Sequence, residues 1–379
     1  MRAARPARSV LVLSLAAVGW GASVAARAQG MATADRVQER GFWPTKGEAA
    51  RGEYVGPAVC ARCHTERAAT QAGTAMAGTA ARADESIVLR GHDALAFQGG
   101  PYSYRIARGT HDSTYTVTDG KDPAHAVSAI LKWAFGVGHV GQSYLYESGG
   151  QIYEGRASYF ADIDGLDYTP GRALDAPHDV GEAAARIVDE KELRRCFACH
   201  TTASVAGGTL DLAHAIPGVT CEACHGPGAR HVAAVEDGRN ADIKPAISVT
   251  RRSDPMASVD FCGACHGTWW DVTLAGEKGV AALRSQPYRL ESSRCWRSGD
   301  PRLACTACHD PHQPLVRDAV SYDGHCLSCH DAGPAKAARS RACPVANQGC
   351  VTCHMPKYDV PEMHHKFTDH WIRVVRRAD

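Results

Sequence analysis

Residues 219–232 of the chain read VTCEACHGPGARHV, with two cysteines and two histidines in one short, glycine-containing stretch. The local chemistry allows a disulfide, a zinc site, a redox-active thiol pair or a covalently attached haem. One copy of the pattern does not decide between them. The rest of the chain does, because the spacing Cys-x-x-Cys-His occurs seven times.

The seven motifs contain fourteen of the sixteen cysteines. In chain order, first to seventh, their cysteines are Cys60 and Cys63, Cys196 and Cys199, Cys221 and Cys224, Cys262 and Cys265, Cys305 and Cys308, Cys326 and Cys329, and Cys350 and Cys353. In the same order, their histidines are His64, His200, His225, His266, His309, His330 and His354. Histidine is 19 of 379 residues, roughly one in twenty, so chance does not explain its place after all seven pairs.

Haem attachment explains the spacing. Two thiols separated by two residues on one helical turn can each add to a haem vinyl group, and the next histidine then binds the iron as proximal ligand. A zinc ribbon uses two cysteine pairs per ion, which an odd number of pairs does not satisfy, and it needs no histidine. A thioredoxin-like centre would occur once, and disulfides do not require the histidine. The pattern therefore predicts seven covalently bound haem c groups.

The N-terminus has the pattern of a secretory signal peptide. Arginines precede an apolar run at 10–26, and Ala26-Arg27-Ala28 precedes Gln29, where we predict cleavage. No later stretch has the roughly 18 apolar residues of a membrane helix, so we expect a periplasmic or extracellular protein without a membrane span. Thioether bonds would consume most thiols, leaving Cys295 and Cys343 for one candidate disulfide.

Charge and motif context exclude some ligands. The formal net charge is +1, and loss of the four arginines of residues 1–28 would change it to −3. Haem propionates would add negative charge, which argues against nucleic acid and favours redox partners with basic patches.

GVGHVG at 136–141 matches the dinucleotide fingerprint, but a predicted hairpin follows it in place of a helix, so we predict no nucleotide site.

The haem motifs are unevenly distributed, with one at 60–64 and six within 196–354. Short β-branched or aromatic runs lie between them, namely SIVLR, ALAF, YSYRIA, TYTVT and the hairpin SYLYESGGQIYEG. The predicted fold is a multihaem cytochrome c of mainly short α-helices and irregular loops wrapped around stacked haems, with a small antiparallel β insert at about 86–160. The predicted helices are 66–82, 181–195, 228–236, 276–285 and 333–341.

These patterns predict four parts of the chain. They are a signal peptide (1–28), an N-terminal single-haem segment (29–85), a β-rich insert without haem motifs (86–180) and a six-haem C-terminal domain (181–379).

The second axial ligand of each iron decides between electron transfer and bond-making chemistry. His231 and His312 follow motifs whose irons already have their near ligand, so each is expected to reach a neighbouring haem. Met76 and His139 are rival candidates for the first haem. The other candidates are His214, His325 and one of the adjacent His364 and His365. We interpret His92, His111 and His125 as turn residues.

Four segments resemble the periplasmic multihaem c-type cytochromes of bacteria, the group that contains the tetrahaem electron acceptor of hydroxylamine oxidoreductase and the pentahaem nitrite reductases. They are YVGPAVCARCH, GVTCEACHGPGARHV, CTACHDPH, and CVTCHMPK with FTDHWIRVV. The resemblance covers 54–76 and 196–373 and implies closely stacked, mostly bis-histidine haems that pass electrons. It also implies that His370 is a distal ligand.

Two features depart from that group. The chain has no Cys-x-x-Cys-Lys motif, so the lysine-ligated catalytic haem of typical nitrite reductases is absent. Met76 stands where many relatives carry histidine.

The leading hypothesis is a periplasmic electron carrier, in which seven mostly bis-His haems connect two redox partners and no catalytic residue is needed. One alternative is a reductase or oxidase that binds a small nitrogen or sulfur compound at a five-coordinate haem. Another is a subunit that stacks into a conducting filament. The chain has more histidines outside the motifs than seven haems need, and the sequence does not show which histidine binds which haem. The alternatives therefore stay open.

Overall fold

The computed structural model describes residues 49–122, 124–173, 176–247, 255–276, 279–297, 300, 302–330, 343, 345–360 and 362–375. The predicted signal peptide and the predicted helix at 333–341 lie outside the described residues. Within those ranges, no helix combines the length and the apolar character that crossing a membrane requires.

A ten-stranded antiparallel sheet, curled into a half-barrel, spans 80–187. Its strands are β1 (Ala80–Arg82), β2 (Ala94–Gly99), β3 (Tyr102–Arg108), β4 (Ser113–Asp119), β5 (Ala126–Phe135), β6 (Gly141–Ser148), β7 (Gln151–Gly155), β8 (Ala157–Phe160), β9 (Gly165–Tyr168) and β10 (Ala185–Ile187). The order across the sheet is β10-β7-β6-β5-β4-β3-β2; β1 pairs with β5, and β8 pairs with β6 and β9.

The sheet shows that the predicted fold class, mainly short helices with a small β insert at about 86–160, is wrong. The insert was underestimated because apolar and polar residues do not alternate in the sequence of β5, AVSAILKWAF. A bulge between Leu131 and Trp133 also shifts its register, and Trp133 and Ala134 after it are both buried. The short strands β1 and β10 carry no pattern of their own and form only by pairing with β5 and β7.

Several local predictions are confirmed and one is wrong. ALAF, YSYRIA and TYTVT lie in β2, β3 and β4, and β6 and β7 form the predicted hairpin. Gly149 and Gly150 in its turn have φ of 57° and 75°, as a type I′ turn requires. SIVLR is a helix, because the Ser86 hydroxyl accepts the Leu89 N–H and caps it.

The described α-helices are short. They are α1 (Pro57–Ala61), α2 (Thr65–Ala72), α3 (Ile87–Gly91), α4 (Val180–Ala184), α5 (Glu190–His200), α6 (Cys221–His225), α7 (Ala229–Glu236), α8 (Asn240–Ile243), α9 (Pro255–His266), α10 (Trp269–Ala275), α11 (Gln286–Glu291), α12 (Arg294–Arg297), α13 (Asp323–His330) and α14 (Cys350–His354). Turns of 3-10 helix lie at Arg51–Glu53, Ala83–Glu85, Ala161–Ile163, Gly279–Arg284, Cys305–Ala307 and Val320–Tyr322.

The other described strands form small two-stranded antiparallel ladders outside the large sheet. They are β11 (Thr201–Thr202) with β14 (Ile216–Pro217), β12 (Val205–Ala206) with β13 (Thr209–Leu210), and β15 (Lys357–Val360) with β16 (His365–Thr368).

The predicted helix at 228–236 is confirmed as α7, and three others differ from prediction. The helix predicted at 66–82 ends at Ala72, where Thr74 donates its hydroxyl to the carbonyl of Gln71. The one at 181–195 is divided into α4, β10 and α5, because β10 pairs with β7 and Asp189 caps a new helix. The one at 276–285 is a 3-10 turn.

The two faces of the sheet have different roles. Buried tyrosines, among them Tyr104, Tyr115 and Tyr144, fill one face and form the main core. Trp133 and Leu145 point to the opposite face and pack against Phe197 of α5. Because Phe197 is the second residue of the second haem motif, the sheet is the support on which that motif rests.

Candidate haem-binding sites

Every motif lies on or next to a helical turn. Helices α5, α9 and α13 end at the motif histidines His200, His266 and His330, and α6 and α14 consist of motif residues alone. The first motif begins in α1, and the fifth begins in the turn Cys305–Ala307. Residues three apart on a helix share a face, so both thiols of a motif can reach one porphyrin. The donor set therefore fits covalently bound haem.

The first cysteines of neighbouring motifs contact each other in three places. The contacts join Cys60 to Cys221, Cys262 to Cys305, and Cys326 to Cys350. The first motif therefore adjoins the third, the fourth adjoins the fifth, and the sixth adjoins the seventh.

One further contact and two pairs of nearby thiols join these pairs into one group. The Sγ of Cys199 in the second motif lies 3.6 Å from the carbonyl oxygen of Ala264 in the fourth. Cys262 is close enough to Cys224 for their charges to interact, and Cys308 is similarly close to Cys326. The seven attachment points form a contiguous set, with the fourth motif next to the second, third and fifth.

Three motif histidines each face a second histidine ring. The ring centres are 6.3 Å apart for His64 and His231, 6.0 Å apart for His225 and His312, and 6.2 Å apart for His309 and His370. Two imidazoles that bind one metal ion from opposite sides, each with its nitrogen about 2 Å away, place their ring centres about 6 Å apart. The pairs fit the axial ligands of the first, third and fifth haems.

The second rings of these pairs are anchored through Nδ1. This atom lies 2.9 Å from the carbonyl oxygen of Ile243 in His231, 3.2 Å from Oδ1 of Asp310 in His312, and 3.1 Å from the carbonyl oxygen of Thr368 in His370. A ligand histidine usually donates its other N–H to a carbonyl or carboxylate, which fixes the ring and its tautomer. The arrangement leaves Nε2 of each ring for a metal.

Burial favours the neutral form of several histidines. It lowers the pKa of His200, His266 and His309 below the ordinary value, and it lowers the pKa of His370 to about 4. Neutral imidazole has the lone pair that metal binding requires. The Nδ1 of His200 is anchored 3.0 Å from the carbonyl oxygen of Thr79.

The remaining predicted second ligands have other surroundings, and their role as ligands stays a prediction. His139 and His325 are exposed, and so is His214, whose Nδ1 lies 3.0 Å from Asp211. Met76 is half-buried and accepts the Val219 N–H through its carbonyl.

His364, just before β16, and His365, the first residue of β16, differ in orientation. His364 uses Nε2 to contact Asp167 at 2.7 Å, whereas His365 uses Nδ1 to contact Asp162 at 3.0 Å. Since a carboxylate on Nδ1 leaves Nε2 for a metal, His365 has the more ligand-like orientation of the two.

Sequence reasoning missed two buried carboxylates that join motifs. Glu222, inside the third motif, accepts the N–H groups of Val55 and Gly228 at 2.9 and 2.8 Å and that of Gly56 at 2.8 Å. It thereby ties the third motif to the start of α1, which carries the first. A glutamate in the variable position of a motif gives no sequence signal for this role.

The second missed carboxylate is Asp323 at the start of α13. It accepts the N–H groups of Gly349 and Cys350 at 2.6 and 2.8 Å. These bonds satisfy the first donors of α14 and tie the sixth motif to the seventh.

An aromatic cluster holds the second motif against the sheet. Phe197 packs edge-on to Trp133 and Phe135, with ring centres 4.9 and 5.0 Å away. Phe135 also packs edge-on to His200 at 5.0 Å. The proximal histidine of the second motif is thus positioned by β5.

Comparison with known proteins agrees with this set of motifs. A family model described as cytochrome c3 matches residues 213–331, and one described as cytochrome c554 and c-prime matches residues 175–226. These matches support a multihaem c-type cytochrome. Such cytochromes carry covalently bound haem c and exchange electrons with redox-protein partners.

The fold resembles that of a solved cytochrome. The crystal structure of outer cell wall cytochrome OcwA has 15% sequence identity and a TM-score of 0.50, and the alignment covers 85% of this chain and 80% of that chain. No curated protein matches the sequence. The closer relation to the acceptor of hydroxylamine oxidoreductase and to nitrite reductases stays a prediction.

Proposed function

We propose that this multihaem cytochrome is a seven-haem electron carrier of the bacterial cell envelope that connects two redox-protein partners. The observation that carries the proposal is that all seven motifs are neighbours. The contacts are Cys60–Cys221, Cys262–Cys305, Cys326–Cys350 and Cys199 with Ala264, and Cys262 is also close to Cys224 and Cys308 to Cys326. Haem supplies one-electron chemistry when bound, and the chain supplies its attachment, ligands and burial.

The histidine pairs favour a carrier over an enzyme. His64 with His231, His225 with His312, and His309 with His370 would occupy both axial positions of three irons. An iron with two protein ligands has no open position for a substrate. The second ligands of the other haems would come from His214, His325, and His364 or His365. Met76 and His139 are candidates for the first haem alone, whose second position His231 would fill.

A periplasmic or extracellular location is part of the proposal. It is supported by the signal-peptide pattern of residues 1–28. The name of the similar solved structure places that protein in the outer cell wall.

The test is to produce the full-length chain in a bacterium that attaches haem c and to measure its intact mass and its electron paramagnetic resonance spectrum. We expect a mass increase of seven haems over the processed polypeptide and mainly low-spin ferric signals. A colourless protein with no added mass would contradict the proposal. A substantial high-spin signal that shifts with nitrite, hydroxylamine or sulfite would favour the enzyme, and end-to-end polymers in scattering would favour the filament subunit.

A further inference from the structure

Residues 369–373, which follow β16, are held by a buried ionic network. The side chain of Asp369 is 0% exposed, and its carboxylate accepts hydrogen bonds from Nε and Nη2 of Arg289 at 2.8 and 2.7 Å. Nη1 of Arg373 donates to the same carboxylate at 2.6 Å, and the Trp371 N–H donates at 3.0 Å. Two guanidinium groups and the main chain therefore fix this carboxylate in place.

The turn after α11 holds the main chain of the same segment. The fully buried Ser293 donates its hydroxyl to the His370 carbonyl at 3.4 Å and accepts the Ile372 N–H at 2.8 Å. The guanidinium groups of Arg289 and Arg373 also lie over the Trp371 ring, 5.2 and 4.4 Å from its centre. Side chains and main chain are thus both tied to the region around α11.

This segment reaches two haem motifs. The His370 ring lies 6.2 Å from the ring of His309, the proximal histidine of the fifth motif. The carbonyl oxygen of Arg373 lies 2.9 Å from Nδ1 of His354, the proximal histidine of the seventh motif. One short segment therefore carries both His370, the second ring of the fifth site, and Arg373, whose carbonyl anchors His354 of the seventh site.

We propose that Asp369, clamped between Arg289 and Arg373, positions His370 for the fifth haem and His354 for the seventh, so that one carboxylate controls ligand geometry at two haems. The inference rests on the proposed function, because both motifs must carry haem. Asp369 acts through its neighbours and is a positioning residue.

Electrostatics explain why the segment depends on this carboxylate. The Asp369 carboxylate is the shared counter-charge of Arg289 and Arg373, because both guanidinium groups donate to it within 2.8 Å. The side chains of Arg289 and Arg373 are only 15% and 22% exposed. Without the carboxylate, two largely buried cations lose their counter-charge, which is a costly state that favours movement of Arg373 toward water.

The test uses Asp369→Asn in the full-length, haem-loaded protein, since this change keeps the size and removes the charge. We expect an unchanged haem complement by intact mass, but altered low-spin signals and shifted midpoint potentials for two of the haems. His370→Ala is the reference and should convert one haem to high spin. Asp359→Asn is the matched control and should behave like wild type. Asp359 is exposed on β15, and its ion pair with Lys366 is long, at 3.8 Å.

Wild-type spectra and potentials in a fully loaded Asp369→Asn protein would overturn the proposal, as would a loss of thermal stability with no spectral change. A change confined to the haem that His370→Ala affects would overturn the link to the seventh site. Absence of haem from the wild-type protein would instead contradict the proposed function, and intact mass distinguishes the two failures. If Asp369→Asn does not accumulate, Arg289→Lys carries the same expectation, because lysine keeps the charge but not the bidentate contact.

Discussion

Glu222 illustrates how a residue inside a haem motif can have a second, structural role. Its position between two cysteines is variable in the motif, yet its side chain is only 1% exposed and accepts three main-chain N–H groups. Two of those donors, Val55 and Gly56, come from the segment that carries the first motif. The carboxylate therefore contributes to the contact between Cys60 and Cys221.

Replacing Glu222 with alanine should destabilise the protein by roughly 2–4 kcal/mol, because buried N–H groups lose a charged acceptor. Urea unfolding followed by circular dichroism measures the free energy of unfolding. Glu236→Ala is the matched control, since Glu236 is 63% exposed and pairs with Arg62 on the surface; its cost should stay below about 1 kcal/mol. Equal losses in the two variants would contradict the structural role of Glu222.

His231 gives a test of ligand pairing at the first haem. Its ring faces His64, so His231→Ala should convert one low-spin ferric haem to high spin in the electron paramagnetic resonance spectrum. Met76→Leu and His139→Ala are the comparison variants and should keep the wild-type spectrum. A high-spin signal in either of these, with a normal His231→Ala spectrum, would restore the sequence-based candidates.

Among the elements, β5 and α5 form the junction between the sheet and the haem-binding region. Trp133 and Phe135 of β5 pack against Phe197, which is 0% exposed. Composition and spacing predicted the haem on α5 but not this junction, because the bulge in β5 hides the strand pattern. The regular strands β2, β3 and β4 were predictable since their burial alternates and clear turns bound them.

Phe197→Ala should cost about 3–5 kcal/mol in the free energy of unfolding, because it leaves a cavity between α5 and the sheet. The control is Leu327→Ala at the equivalent position of the sixth motif, where the residue is half-buried and a smaller loss is expected. Both variants keep their cysteines and histidine, so the haem content by intact mass should not change. A loss no larger for Phe197 than for Leu327 would argue against the junction.

The cap of α14 by Asp323 should make stability depend on pH. Hydrogen bonds from the main chain of Cys350 and Gly349 lower the pKa of Asp323. A carboxyl group whose pKa is lower when folded stabilises the protein above its unfolded pKa of about 3.9, and this contribution is lost as pH falls through the folded pKa.

The measurement is the difference in free energy of unfolding between wild type and Asp323→Asn. This difference should be positive at about pH 6 and become smaller below about pH 4. Asp359→Asn, an exposed residue in a long ion pair, is the control and should show a small difference throughout. A difference for Asp323→Asn that does not change with pH would contradict the cap.

At the scale of the whole molecule, neighbourhood in space does not follow order in the chain. The first motif adjoins the third and the second adjoins the fourth. The Cys-x-x-Cys-His spacing predicts the attachment sites from sequence alone, because that chemistry is local, and these sites stay a prediction. The pairing of His231 with His64 and of His312 with His225 depends on long-range packing, and a surplus of histidines concealed it.

The central position of the fourth motif predicts unequal effects of losing a haem. The double variant Cys262→Ser and Cys265→Ser should lose one haem by intact mass and slow electron redistribution among the others after pulse reduction. The matched control, Cys350→Ser and Cys353→Ser, removes a haem from the seventh motif, whose first thiol contacts that of the sixth. Equal slowing in both variants would argue against a central fourth site.

The contact between Cys60 and Cys221 also has a consequence for biosynthesis. A ribosome completes the first motif well before the third, and the entire half-barrel of 80–187 is translated between them. The N-terminal segment therefore cannot dock until the third motif, which follows the sheet in the chain, has been synthesised. Folding of the sheet would bring the two segments closer together in space. The first and third motifs would then dock only after this sheet, which has no cofactor motif of its own, has folded.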